Sequence, residues 1–328
     1  MKTFAIVSAL ASVALAQSST ASASALIPTG ISSGCSSFLT AFNSNSALSA
    51  CTSPLISATS SYGPGGNASA TSAGVSSALS AACSATTCSE TTVRDQLTQF
   101  YAACTAELTS SPNDAVVRAY DVLYALTPLK KALCAKDDSG KYCAAQLSSI
   151  VSSASASASA ASASASAAAG SLSNGLSLAS VQKYLWASTS GSLARRASSS
   201  EAALIPNTTT YAASNLVFLF LQPALESAAL CTSCTRAVLT SYIDWESDVP
   251  YAPGLANSPT MAGQAAIYNA VQSTCGSSFL SGAVQAAGSL SNGLGQSSGA
   301  APAVALAGRA GTVVAAIGAV VLGAVAVL

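Results

Sequence analysis

A chain of 328 residues with twelve basic side chains, twelve acidic ones and no histidine has no basic cluster to neutralise phosphates, so nucleic acid is not an expected partner. The missing imidazole also excludes Ser-His-Asp and Cys-His catalysis and histidine metal sites. Charged side chains are 7% of the chain and alanine dominates its 50% hydrophobic fraction, so solubility must come from Ser and Thr hydroxyls and sugars carried on them.

Taken in chain order, residues 1–16 hold Lys2, an apolar run from Phe4 and the small-x-small sequence Ala14-Leu15-Ala16. These are the three parts of a secretory signal peptide, with cleavage expected after Ala16. Residues 17–34 are a Ser/Ala-rich leader containing Pro28 and Gly30. Residues 35–149 form a cysteine-rich segment whose apolar spacing is helical. Cys35, Phe38, Leu39 and Phe42 make one stripe, and Val93, Leu97, Phe100, Tyr101, Cys104 and Leu108 a longer one behind a cap at Ser89. Ser111-Pro112-Asn113-Asp114 has the order cap, proline, acid expected at a helix start. Val117, Tyr120 and Tyr124 then share a face, Pro128 is expected to end the run, and Asp114 and Asp121 are expected to face solvent.

Residues 150–200 are a low-complexity spacer in which Ser152 to Ala169 contain only Ser and Ala, a composition unable to form a core. Within it Arg195-Arg196 is either a solvated pair or a dibasic site for a kexin-type protease. Residues 201–281 are a second cysteine-bearing helical segment expected to join the first in one domain. Leu216 to Leu221, "LVFLFL", is a buried strand or a core helix. Cys234, Val238 and Tyr242 stripe one helix, and Ser258-Pro259 reads as the start of another carrying Met261, Ala265, Tyr268 and Val271. "GSLSNGL" occurs at Gly170–Leu176 and again at Gly288–Leu294, as spacer at the edges of this segment. Residues 282–298 read as a Ser/Gly-rich stalk.

Residues 299–328 finish in Val313–Leu328, sixteen residues without a polar side chain. A spanning helix needs about 20 apolar residues, and extending this run upstream meets Arg309. Small residues Ser298-Gly299-Ala300, a spacer from Ala301 to Thr312 and the apolar run instead fit a removable glycosylphosphatidylinositol (GPI) signal. Attachment is expected at Ser298, with Ser297 and Gly299 as close competitors. Loss of Lys2 and Arg309 from the twelve basic residues leaves ten against twelve acidic, a mature charge of −2.

The ten cysteines, Cys35, Cys51, Cys83, Cys88, Cys104, Cys134, Cys143, Cys231, Cys234 and Cys275, all survive this processing. In an oxidising route an even count implies up to five disulfides. Cys231-Thr232-Ser233-Cys234 has redox or zinc half-site spacing, but no second pair or βαβ setting accompanies it, so no metal and no cofactor is expected. Seven cysteines precede the spacer and three follow it. If all pair within the chain, at least one bridge must cross it, closing a loop of about ninety residues or more. The expected fold is all-α, disulfide-braced, with Ser/Ala-rich disordered spacers. Asn67-Ala68-Ser69 and Asn207-Thr208-Thr209 are N-glycosylation sequons, whereas Asn257-Ser258-Pro259 is not.

"CSSFLTAFNSNSALSACTSPL" and "CTSCTRAVLTSYIDWESDVPYAPGLANSPTMAGQAAIYNAVQSTCGSSF" resemble uncharacterised fungal secreted, GPI-anchored, Ser/Ala-rich surface proteins grouped as a domain of unknown function. The resemblance rests on paired cysteines before a Val-Leu helix and on the "PYAPGL" turn. It implies surface localisation and supplies no catalytic residues.

Two functions follow as expectations. The first is a non-enzymatic cell-surface or cell-wall glycoprotein, anchored by lipid in the outer leaflet of the plasma membrane and facing wall polysaccharide. The alternative is a carbohydrate-active enzyme or sugar-binding module. It would use Asp244, Glu246 and Asp248, two acids being enough for glycoside hydrolysis, with Trp245 and Tyr251 as sugar platforms. The plainer reading of that cluster is a solvated helix end.

Overall fold

A computed structural model describes residues 27–59, 72–147 and 206–280. The expected signal peptide, Asn67, the Ser/Ala-rich segment with Arg195 and Arg196, the expected stalk and the expected GPI signal with Ser298 lie outside the described residues. The described part is all-α. Its first segment holds α1 (Ser33–Asn43), α2 (Ser46–Thr59), α3 (Ser72–Ser84), α4 (Glu90–Ala103), a π turn (Ala106–Ser110) and α5 (Asp114–Cys134). The second holds α6 (Thr208–Ser214), a 3-10 turn (Leu216–Phe218), α7 (Ser227–Leu230), α8 (Ser233–Asp248) and α9 (Gln264–Cys275).

Local chemistry sets most of these starts. Ser32 accepts from the Cys35 N–H at 3.3 Å to begin α1, and Ser89 accepts from Thr92 N–H at 3.0 Å to begin α4. Each satisfies one of the orphan donors of a first turn. The stripe Cys35, Leu39, Phe42 is buried, and so is Val93, Leu97, Phe100, Cys104, Leu108. α5 is capped by Asn113, which accepts from Ala115 and Val116 N–H, while Ser111 closes the π turn before it. The cap therefore stands two residues later than the Ser-Pro order suggests.

Pro128 does not end α5; the helix runs through it to Cys134. A mid-helix proline costs about 3 kcal/mol. Here 14 of 21 residues in the helix are buried, and burial of that many side chains outweighs one missing N–H. α5 is the hub, packing against α3, α4, α8, the π turn and the 3-10 turn.

"LVFLFL" is neither strand nor regular helix. Leu216–Phe218 makes one 3-10 turn, and Asn215, Leu219 and Phe220 have positive φ of 48°, 53° and 67°. A strand or helix would send some of six consecutive apolar side chains outward, whereas this winding buries all six. The left-handed residues cost about 1–2 kcal/mol each, offset by that burial. Asn215 stands against Gly263, where a Cβ would come within 2.2 Å of the Asn215 Oδ1. Likewise, Ser258-Pro259 does not start α9, which begins at Gln264.

All ten cysteines pair: Cys35–Cys104, Cys51–Cys88, Cys83–Cys134, Cys143–Cys234 and Cys231–Cys275. Three bridges staple helices within the first segment. Cys143–Cys234 crosses the spacer over 91 residues. A single core spans both segments. Through it runs a file of rings, Phe42, Phe100, Tyr120, Tyr251, Tyr124 and Trp245, with successive centroids 5.0–6.0 Å apart.

Candidate functional site

The acidic and aromatic cluster at the end of α8 is split between inside and outside. Asp244 and Asp248 are exposed. Trp245 is 1% exposed and sits edge-on to Tyr124, and Tyr251 is 7% exposed within the ring file. Neither indole nor phenol can serve as a sugar platform. The i, i+4 periodicity of α8 explains this, since Trp245 lies on the face of Val238 and Tyr242, which packs against α5.

The largest departure from expectation is Asp121. It was expected in solvent with Asp114; Asp114 is exposed, but Asp121 is fully buried. Its place on α5 between Tyr120 and Tyr124 puts it on the inward face. Tyr251 O–H donates to its Oδ1. Its Oδ2 accepts from Ser258 O–H at 2.8 Å, Thr260 N–H at 3.1 Å and Thr260 O–H at 2.7 Å. Ser258 Oγ in turn accepts from Met261 N–H at 2.9 Å. The serine that resembled a helix cap thus organises a turn around a carboxylate on another helix.

Burial pushes the Asp121 carboxyl up to about 6, and the four donors hold it down against that push. It is ionised at neutral pH. Burial, and then the Asp121 charge, drive the Tyr251 phenol far above its ordinary value, and burial pushes Tyr120 up to about 12. This is a buried charge compensated by hydrogen bonds. It ties α5 of the first segment to the loop before α9 of the second.

Glu246 is half-buried. Its Oε2 accepts from Gln264 Nε2 at 2.7 Å, and burial pushes its carboxyl up to about 7. Tyr124 O–H donates to the Val249 carbonyl at 2.5 Å, holding the end of α8 onto α5. In the first segment Glu107 accepts from Ser32 N–H at 2.6 Å, and that bond holds its carboxyl below the ordinary range. Glu107 lies beside the sulfurs of Cys35 and Cys104, but these are bonded to each other.

Cys231 and Cys234 bond to different partners, so their spacing makes no redox pair. Asn207, half-buried, caps α6 through Oδ1, which accepts from Thr210 N–H at 3.3 Å. A glycan joins the side-chain nitrogen, so cap and sugar do not compete for one atom. Sequence reasoning singled out Glu246, Tyr251 and Asn207, though for other roles than the contacts described here. It missed Asp121, Thr260 and Gln264 as partners, although the position of Asp121 on the Val117–Tyr124 stripe was a signal for the first.

Residues 19–167 match a family described as a domain of unknown function, DUF7729. The match spans α1 to α5 and their three staples, while α6 to α9 lie outside it. No curated protein and no solved structure matches the chain.

Proposed function

We propose that the protein is a GPI-anchored glycoprotein of the cell surface or wall with a structural or interaction role and no catalytic one. Its braced helical body is carried outward from the outer leaflet on Ser-rich spacers, toward wall polysaccharide. The observation that carries this reading is the pairing of every cysteine, which belongs to an oxidising secretory route. The signal-peptide pattern of residues 1–16, the small residues around Ser298 and the apolar run Val313–Leu328 agree with it. Among the described residues no helix is long and apolar enough to cross a membrane. The inward orientation of Trp245 and Tyr251 weighs against the sugar-platform alternative.

The test is deletion of Val313–Leu328. The full chain should fractionate with membranes and be released by a phosphatidylinositol-specific phospholipase, and the truncated chain should appear in the medium. A truncated chain that stays membrane-bound rejects the anchor.

A further inference from the structure

Glu246 of α8 and Gln264, the first residue of α9, share one hydrogen bond, Nε2–H to Oε2 at 2.7 Å. The two oxygens left over, Glu246 Oε1 and Gln264 Oε1, are both buried and both without a partner. In an ionised carboxylate each can only accept, so neither can satisfy the other. Two unpaired buried acceptors on one bonded pair are costly. A single proton removes both costs, because a carboxylic acid and a primary amide each offer one donor and one acceptor in the same plane.

We propose that Glu246 and Gln264 form a carboxylic acid–amide pair, closed by a proton on Glu246 Oε1 donated to Gln264 Oε1, and that release of this proton to solvent opens the junction between α8 and α9. The surroundings suit a neutral acid. Tyr124 from α5 and Tyr242 from α8 face it with phenols that burial keeps protonated. Asp244 and Asp248 on its own helix are exposed. Burial is the dominant influence on its carboxyl and the Gln264 amide the other, and the resulting value is about 7. Asp121 contrasts with it: four donors reach that carboxyl and keep it ionised, whereas one reaches Glu246. The donor count thus favours the ionised form at Asp121 more than at Glu246.

The device has a fixed end and a free end. Cys231–Cys275 holds the C-terminus of α9, so loss of the pair loosens only its first turn. A carboxyl whose folded value is raised stabilises fully below its unfolded value and loses that stabilisation as pH rises through the folded one. The window runs from the ordinary 4.5 to about 7.

Glu246→Gln replaces the acid with an amide that keeps the donor at all pH values. In the secreted wild-type protein the unfolding constant should rise by up to about tenfold per pH unit across that window from this group. Hydrogen exchange at the Gln264–Ile267 amides, corrected for intrinsic rates, should accelerate over the same range. Glu246→Gln should remove both effects, while the Asp121 contribution stays in both proteins. Independently, carbon-13 labelling of glutamate carboxyls in the wild type should show Glu246 titrating near pH 7. A pH dependence in Glu246→Gln undiminished from wild type, or a Glu246 carboxyl already ionised at about pH 5, overturns the proposal.

Discussion

The two segments on either side of the spacer reach one core by different means. The first builds amphipathic helices around α5, and its bridges Cys35–Cys104, Cys51–Cys88 and Cys83–Cys134 close short loops of 69, 37 and 51 residues. The second has two short helices of 7 and 4 residues, three left-handed non-glycine residues, and a long connection from Val249 to Gly263, with one 3-10 turn at Leu255–Asn257, between α8 and α9. Its hold on the rest comes from one crossing disulfide, the packing of α8 on α5, the Asp121 and Tyr124 hydrogen bonds and the ring file. The first segment is therefore braced by three disulfides of its own, and the second by one of its own and by its bridge and side-chain contacts to the first. Loss of tethers between them should fall on the second segment.

The largest effect expected is from replacing Cys143 and Cys234 together by Ser. Chain-entropy reasoning for a 91-residue separation gives about 4–5 kcal/mol. Hydrogen exchange under rising urea should show α6 to α9 losing protection before α1 to α5. Simultaneous loss in both segments would break the comparison.

Asp121→Asn should cost about 2–3 kcal/mol, because the amide nitrogen faces donors that the carboxylate accepts. It should also change the pH profile. The wild-type contribution from Asp121 is fully present below the ordinary 3.8 and lost as pH rises through about 6, so stability falls across that window. The variant should lack this slope in thermal melts taken at several pH values. An unchanged slope would mean that Asp121 is not the titrating group.

The smallest effect separates the cap at Asn207 from the sugar expected there. Asn207→Gln removes both and should cost about 1 kcal/mol. Thr209→Ala removes only the sequon, at an exposed position, and should stay within about 0.5 kcal/mol of wild type. Intact mass before and after glycosidase reads the sugar, and chemical denaturation reads the cap. Equal costs for the two variants would assign the stabilisation to the glycan.

Helices α1, α4, α5 and α8 were legible because a 3.6-residue stripe needs only residue types and spacing. The Ser89 cap was legible for the same reason, being a local bond. The second segment resisted where its structure is non-local. Ser258-Pro259 is a good helix start by local rules, yet its hydroxyl serves Asp121, 137 residues away. "LVFLFL" carries no period that could distinguish a strand from a helix, and its winding depends on the core packed around it. Pro128 was misread because the burial that compensates it comes from other elements. For the site, the acidic residues near Glu246 were visible, but which of them turn inward depends on the rotation of α8 against α5.

The bridge across the spacer also has a history in time. Synthesis runs from the N-terminus, so on the secretory route proposed above seven cysteines would enter an oxidising compartment before any of the last three. Six of them can find their native partners among themselves. Cys143 cannot, because Cys234 emerges 91 residues later. At about 5–20 residues per second that is an interval of roughly 5–20 s. During it a lone thiol sits beside three newly made disulfides and can exchange with any of them. The odd count in each half makes the nascent first segment a substrate for disulfide isomerisation until the second half arrives to quench it.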